Sequence, residues 1–186
     1  MKTQILKHLT ATLLWAALLT ATIALAESKS QTSITPNEAF AKLKGLAGEW
    51  RGTEGDKDKG HPAAVTYRTT SGGSAVMETL FPGSDHEMVT LYHLDGDKLV
   101  LTHYCMLANQ PKMALTGKST ADELVFDFAG GSNVKPMKDM HMHSLRLRFE
   151  NKDAIATEWD MFDAGRKVDS KKFFLTRKSQ RITATE

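Results

Sequence analysis

Three histidines and one cysteine, carried by two short stretches, are the residues of this sequence best suited to chemistry. The stretch "LVLTHYCMLANQPKM" (99–113) carries His103 and Cys105, and "DMHMH" (139–143) carries His141 and His143. An imidazole can bind a metal, orient a ligand or transfer a proton, and a thiol can ligate a metal or act as a nucleophile. What they do together depends on whether the fold brings the two stretches to one place.

The chain after Leu46 consists of short alternating runs that are separated by turn-forming residues. This spacing is typical of an all-β sandwich or barrel. Because many sequential strands leave exposed edges unless their sheet closes on itself, we predict an antiparallel up-and-down barrel of about ten strands. The predicted breaks between strands are 54–60, 71–73, 82–85, 95–97, 108–111, 120–122, 130–139, 151–153 and 163–165.

One short helix is predicted before the strands, in "TPNEAFAKLKG". Thr35 is a suitable N-cap, Pro36 fits the first helical position and Glu38 completes the spacing of a capping box. Gly45 supplies a stop. Because the helix has only one small apolar face, we expect it to plug one end of the barrel.

The start of the β region resembles lipocalin-like (calycin) barrels. In "LAGEWRG", Gly48-x-Trp50 follows the helix directly, and in such barrels the tryptophan packs across the floor beside a preceding helix. The phrases "YHLDGDKLVLTHYCMLANQPKM", "FDFAGGSN" and "DMHMH" resemble an uncharacterised family of exported bacterial proteins with a barrel of this type. This resemblance covers roughly residues 46–177. It implies a fold and a compartment, and it carries no established reaction.

The alternation of side chains along a strand predicts which of these residues point into the barrel. In 141–149 the arginines occupy even positions and mark that face as solvent-exposed, so His141 and His143 are predicted to point inward. In an up-and-down barrel 99–107 ends at the rim where 141–149 begins, and Asn109 lies in a turn at that rim. The odd, more apolar face of 99–107 is also predicted inward, and it comprises Leu99, Leu101, His103, Cys105 and Leu107.

The facing of three further residues stays open at this point. A two-residue turn at 95–96 would direct His93 outward, whereas a three-residue loop at 94–96 would add it to the inner row. We favour the loop, because it places a valine and a leucine of the preceding strand opposite two leucines of the next. Glu78 and Glu158 could each face either way.

These residues predict a binding protein that holds a small apolar or amphipathic ligand in its lumen. Aliphatic and aromatic rows with a few polar groups near one mouth are the usual composition of a ligand pocket. The histidines would hold the polar end of the ligand near the rim. The predicted ligand-binding residues are Glu78, His93, His103, Cys105, Asn109, His141 and His143.

Two alternatives remain open from the sequence. His141-x-His143 with His103 could form a three-nitrogen site for zinc or copper, completed by Cys105 or Glu78, or one histidine could ligate a haem iron. An enzyme could instead use His103 as a base with Glu78 or Glu158 as its partner. The sequence contains no nucleophile elbow, phosphate-binding loop or dinucleotide fingerprint, so we assign no catalytic residue, leave the cofactor open and expect binding rather than catalysis.

Residues 1–26 have the pattern of a secretory signal peptide. Lys2 and Lys7 precede an apolar run, and Ala24-Leu25-Ala26 offers a small-x-small cleavage site. Because a membrane-spanning helix needs about 20 apolar residues, we expect no stable membrane anchor after cleavage near Ala26. The processed protein would then be periplasmic or secreted.

The remaining sequence is predicted to form a flexible lead-in at 27–33, one barrel domain with its helix at 34–178 and a polar tail at 179–186. The two lysines of the signal account for the whole net charge of +2, which leaves 22 basic and 22 acidic residues. No basic patch remains to indicate a nucleic-acid partner. With Cys105 as its only cysteine, the chain has no internal disulfide.

Overall fold

Helix α1 (Pro36–Lys44) begins at a complete capping box, as predicted. In the computed structural model, which describes residues 32–179, the backbone N–H of Glu38 donates to the Thr35 hydroxyl oxygen (3.3 Å). The backbone N–H of Thr35 donates in turn to the Glu38 carboxylate (2.9 Å). These bonds satisfy two N–H groups that a helix start would otherwise leave unpaired. In the described part of the chain no helix is long and apolar enough to cross a membrane.

Ten strands follow the helix, and every connection between them overlaps one of the predicted breaks. The strands are β1 (Gly48–Glu54), β2 (His61–Thr70), β3 (Ala75–Leu80), β4 (Met88–Asp95), β5 (Lys98–Tyr104), β6 (Gln110–Leu115), β7 (Glu123–Ser132), β8 (His141–Asn151), β9 (Ala154–Asp163) and β10 (Arg166–Arg177).

The sheet closes into a barrel in the predicted order. Each strand pairs antiparallel with the next one along the chain, and β1 also pairs with β10, where Trp50 lies opposite Arg177. Closure leaves no unpaired edge in this sheet. The predicted fold class, an all-β antiparallel barrel with one short helix, is therefore confirmed for the described residues.

Only the inner ends of the predicted lead-in and tail fall within the described residues. Ser33, predicted to be flexible, forms a β-bridge with Thr120, and the N–H of Ile34 donates to the carbonyl of Ser119 (3.1 Å). The predicted signal peptide at 1–26 lies outside the described residues and stays a prediction.

Trp50 joins the helix to one end of the barrel. Its ring is fully buried, and its Nε1–H donates to the carbonyl of Leu46 (2.8 Å). The guanidinium of Arg177 lies 4.4 Å from the centre of the ring and also donates to the carbonyls of Ala47 (2.7 Å) and Gly45 (2.9 Å). One arginine thus contacts both the tryptophan and the end of α1.

Replacing Trp50 should therefore destabilise the whole barrel. We expect Trp50→Ala to lower the free energy of unfolding by about 3–5 kcal/mol, because it removes a large buried ring and leaves a cavity. Urea unfolding measures this loss. Tyr104→Ala, which truncates a ring that is 47% exposed, is the matched control and should change stability by about 0.5 kcal/mol or less. Equal unfolding midpoints for the two variants would contradict this role of Trp50.

Candidate functional site

A cavity of about 890 Å³ occupies the barrel lumen away from Trp50 and α1. Its volume lies within the usual range for small-molecule pockets, about 300–1,000 Å³. Exposed or half-exposed polar residues on its wall include Arg51, Glu54, His61, His86 and Lys171. The rest of the wall is mainly apolar and includes Leu80, Phe81, Met88, Cys105, Met142, Trp159, Met161 and Phe173.

The predicted facing of β5 is confirmed over most of its length. Leu99 and Leu101 are buried in the core, and His103 and Cys105, which are also buried, contribute to the cavity wall. Leu107 also contributes to the cavity wall but is 41% exposed, because the strand ends at Tyr104 and the chain then turns. Burial also raises the pKa of the Cys105 thiol, so this side chain acts as a small apolar group rather than a thiolate.

His103 is held at one ring nitrogen and free at the other. Its Nδ1 lies 3.0 Å from the hydroxyl oxygen of Thr90, whereas its buried Nε2 has no hydrogen-bond partner among the described residues. Burial lowers the pKa of the imidazole from 6.5 to about 4. The ring is therefore neutral at physiological pH, and Nε2 is available to a ligand.

The buried carboxyl group of Glu78 lies behind the part of the cavity wall that His103 forms. Glu78 is 1% exposed and accepts hydrogen bonds from the hydroxyls of Tyr67 (2.8 Å) and Tyr92 (2.7 Å). Burial raises the pKa of Glu78, and hydrogen bonds from Tyr92, Tyr67 and Thr90 act in the opposite direction. None of these four residues belongs to the cavity wall. His103 therefore stands between the cavity and a fully buried polar network.

The sequence missed Tyr92 and Thr90 because the favoured loop before β5 was wrong, and it gave no facing for Tyr67 on β2. The turn consists of residues 96–97, with Asp95 paired to Lys98 and Tyr92 paired to Leu101. Gly96 has a φ of +60°, which suits the first position of a two-residue turn. This register points Thr90 and Tyr92 inward, and it leaves His93 on the outer face opposite Val100, so the prediction for His93 was wrong.

His141 and His143 were predicted to point into the lumen, but neither contributes to the cavity wall, so this prediction was wrong. A register shift between Met142 and Ser144 interrupts the pairing of β8 with β9. Such a bulge reverses the alternation of side chains on one side of it. As a result Met142, opposite Met161, takes a place on the cavity wall, and neither histidine does.

His141 and His143 instead belong to an aromatic cluster. His141 is fully buried, with Nδ1 2.8 Å from the carbonyl of Asp139 and Nε2 3.0 Å from Nδ1 of His143. The ring of His143 stacks on those of Phe162, at 3.9 Å, and Phe128, at 5.1 Å. Burial, together with His141, lowers the pKa of His143. Both rings have the contacts of packing residues.

The metal site predicted from His103, His141 and His143 is therefore not formed. Within residues 32–179, no three side chains of His, Cys, Asp or Glu are grouped so that they could hold a metal ion. Asn109 is buried but is not part of the cavity wall, and its Nδ2 donates to the carbonyl of Met140 (2.8 Å). It thus ties the β5–β6 turn to the start of β8, at the rim where the sequence placed it.

Of the two carboxylates considered as partners for His103, one lies inside. Glu158 pairs across the strands with Arg146 and forms an ion pair with Lys172 (3.7 Å) at the surface. Glu78 lies inside but is not hydrogen-bonded to His103, whose Nδ1 contacts the hydroxyl of Thr90, the cross-strand neighbour of Glu78.

Trp159 is a site residue that the sequence indicated only indirectly. Its ring centre lies 4.8 Å from that of His103, and its buried Nε1 also has no partner among the described residues. Because Glu158 and Trp159 alternate, an outward Glu158 requires an inward Trp159. The cavity wall therefore carries two buried nitrogen atoms that lack a partner among the described residues, on two rings that lie against each other.

The fold and the cavity together define a closed ten-stranded barrel with an apolar lumen. No protein-family model matches the chain, and no curated protein does. Among solved structures it is similar to a protein of unknown function from the DUF3598 family of Nostoc punctiforme, at 12% identity and a TM-score of 0.47. The similarity covers 78% of this chain and 49% of the other, so the chain spans about half the length of that protein.

The neutral state of buried His103 predicts how stability depends on pH. The unfolded imidazole takes up a proton as the pH falls below its ordinary pKa of 6.5, whereas the folded one resists protonation down to about pH 4. Stability present above pH 6.5 should therefore be lost between pH 6.5 and 4, by about 3 kcal/mol at this residue.

Urea unfolding at several pH values checks this expectation through a pair of variants. We expect His103→Gln to lose less stability than the wild type over that pH interval, because it removes the group that titrates. His61→Gln, at the exposed mouth, should follow the wild-type curve. Parallel curves for wild type and His103→Gln would show that folding leaves the pKa of His103 unchanged, which contradicts this expectation.

Proposed function

We propose that the protein is an exported binding protein that holds a small apolar or amphipathic molecule inside its barrel. The observation that carries this proposal is the cavity of about 890 Å³ whose wall is mainly apolar. Cavities of this size and composition bury most of the surface of a bound small molecule. Export, proposed from residues 1–26, would place this binding activity in the periplasm or outside the cell.

The composition of the wall supports an apolar body for the ligand. Aromatic rings such as Phe173 contribute to it together with five methionines, Met88, Met106, Met140, Met142 and Met161. Methionine side chains are unbranched and polarisable, so they adapt to ligands of irregular shape. The charged groups at the wall are of both signs, with Arg51 and Lys171 beside Glu54, which gives no strong preference for an anionic ligand.

The two unsatisfied nitrogens support a polar anchor for that ligand. Buried polar atoms in proteins nearly always have a hydrogen-bond partner, and a missing one costs about 1–3 kcal/mol. Nε2 of His103 and Nε1 of Trp159 lack a partner in the described residues, and both rings contribute to the cavity wall. The polar end of a ligand would supply the missing hydrogen-bond partners of these two nitrogens.

Binding can be tested with N-phenyl-1-naphthylamine, an uncharged dye whose fluorescence rises in apolar surroundings. We expect the wild type to bind it and Cys105→Trp to bind it more weakly by over tenfold, which is about 1.4 kcal/mol, because the larger ring fills the cavity.

Tyr104→Trp is the matched control for this experiment, since it places the same ring one residue away on the exposed outer face. Thermal melts confirm that both variants are folded. Undiminished dye binding by folded Cys105→Trp would contradict a ligand in the lumen. If the dye experiment supports binding in the lumen, native mass spectrometry of protein from its own host would identify the natural ligand by its mass.

A second candidate is haem, and the free nitrogen of His103 is the observation that favours it. A proximal histidine binds haem iron through one neutral ring nitrogen while its other nitrogen is fixed by a hydrogen bond. His103 has this arrangement through Thr90, inside an apolar cavity. Zinc and copper are not candidates here, because they need further ligands that the described residues do not group around His103.

Titration with haemin tests the second candidate. If haem is the ligand, we expect a sharp Soret band at one equivalent in the wild type and its loss in His103→Leu, since the only proposed iron ligand is gone. His86→Leu removes an exposed histidine of the mouth and should leave the spectrum unchanged. A Soret band that is the same in all three proteins would mean that haem is not held by His103.

A further inference from the structure

His141 and His143 share one hydrogen bond, and a backbone carbonyl decides which ring donates it. Nδ1 of His141 lies 2.8 Å from the carbonyl oxygen of Asp139. A carbonyl can only accept, so this nitrogen carries a proton. When both rings are neutral, Nε2 of His141 is therefore a lone pair, and Nδ1 of His143, 3.0 Å away, donates to it. The other nitrogen of His143, Nε2, is then the one lone pair of the two rings that lies outside this contact.

The contact between the two rings tolerates one added proton but not two. A proton on Nε2 of His143 leaves its Nδ1–H donating to His141 as before. A second added proton can bind only to Nε2 of His141, where it would face the N–H of His143 across 3.0 Å. Two adjacent cations would then have two donors and no acceptor between them. Doubly protonated rings must therefore separate.

The charged groups around the pair act on His143. Asp127 on β7 and Asp160 on β9 raise its pKa, whereas burial, the largest cause, and His141 lower it. Asp160 is itself paired with Lys167 on β10 (2.6 Å), which weakens its effect. The pKa of His143 is lowered overall from its ordinary 6.5. The second protonation of the pair therefore belongs to a mildly acidic medium.

His141 connects this pair to the mouth of the cavity. It is fully buried at the start of β8, and it holds the carbonyl of Asp139 at the end of the β7–β8 loop (133–140). The residues on either side of it, Met140 and Met142, both contribute to the cavity wall. A displacement of the His141 ring therefore moves the loop and part of the wall with it.

We propose that His141 and His143 form a proton-operated latch at the mouth of the cavity. The latch holds the β7–β8 loop in place while the pair carries at most one added proton, and it releases the loop when both rings are protonated. The proposal rests on the function proposed above, because release of the loop removes Met140 from the wall and lowers the affinity for an apolar ligand. Acidification is then the signal that unloads the barrel.

Hydrogen exchange of the loop amides tests the latch without a ligand. The backbone N–H groups of Lys138 and Asp139 both donate to the carbonyl of Lys135 (2.8 Å), so a closed loop protects them. Protection factors correct for the pH dependence of exchange in an unfolded chain. We expect those of the two loop amides to fall about tenfold or more in the wild type between about pH 7 and about pH 4.5. The N–H of Thr116, which donates to the carbonyl of Val125 (2.8 Å), should keep its protection.

His143→Phe removes the second cation and keeps the packing. Phenylalanine can continue the stack between Phe128 and Phe162 and cannot be protonated, so the loop amides should stay protected at the lower pH. His143→Gln removes the same charge with a polar side chain and serves if the first variant does not fold. His86→Leu, which removes an exposed histidine of the mouth, is the control and should open like the wild type. His103 titrates in all these proteins, so the difference between them reports on the pair.

Dye binding at the two pH values connects the latch to the ligand. We expect the affinity of the wild type for N-phenyl-1-naphthylamine to fall about tenfold at the lower pH, and that of His143→Phe to change far less. Circular dichroism verifies that the barrel remains folded at both pH values.

The results separate the latch from the proposed function. If the loop amides of the folded wild type keep their protection at the lower pH, the latch is wrong, and dye binding at neutral pH leaves the proposed function intact. If wild type and His143→Phe lose protection equally, opening does not depend on the pair and the latch is also overturned. If the folded protein binds no dye at either pH, the binding function fails, and the unloading role of the latch fails with it.

Discussion

The candidate site depends on one carboxylate that is buried inside the barrel. Glu78 on β3 accepts hydrogen bonds from Tyr67 on β2 and Tyr92 on β4, and Thr90, its cross-strand neighbour on β4, contacts Nδ1 of His103 on β5. Removing a carboxylate from water is costly unless hydrogen bonds replace its hydration, so the network must stay intact in the folded state. Residues of four neighbouring strands are thereby fixed against one another, and Thr90 fixes the position of the His103 ring.

Two buried tryptophans differ in whether the protein supplies an acceptor for the indole N–H. Trp50, at the helix end, donates to Leu46 and is covered by Arg177, so its polar atom is satisfied within the protein. Trp159, at the cavity, is equally buried but has no acceptor for its Nε1–H among the described residues. An unsatisfied buried donor lowers stability. Where a sequence keeps such a feature, function is the usual reason.

The sequence could predict most of the fold, because the fold is encoded locally. Turn residues mark each connection, alternation marks the faces of most strands, and the capping box of Thr35 and Glu38 marks the start of the helix. The failures come from single-residue shifts. A turn at 96–97 in place of the favoured loop turned His93 outward, and a bulge after Met142 moved His141 and His143 off the cavity wall. Because alternation has a period of two, a shift of one residue reverses every assignment beyond it.

The candidate site was harder to predict than the fold because its parts come from distant strands. Thr90 and Trp159 meet His103 only through strand pairing and through contact within the lumen. No short sequence motif indicates such a long-range contact. His141-x-His143, by contrast, has the spacing of a metal-binding motif, yet His143 stacks on Phe128 and Phe162. Two histidines in a His-x-His pair need at least one further ligand to hold a metal. A bulge in the strand can turn the pair away from the side chains that would provide that ligand. An isolated histidine with one nitrogen fixed by a neighbour and the other directed at a cavity is the more informative feature, because the fold has already positioned its free nitrogen.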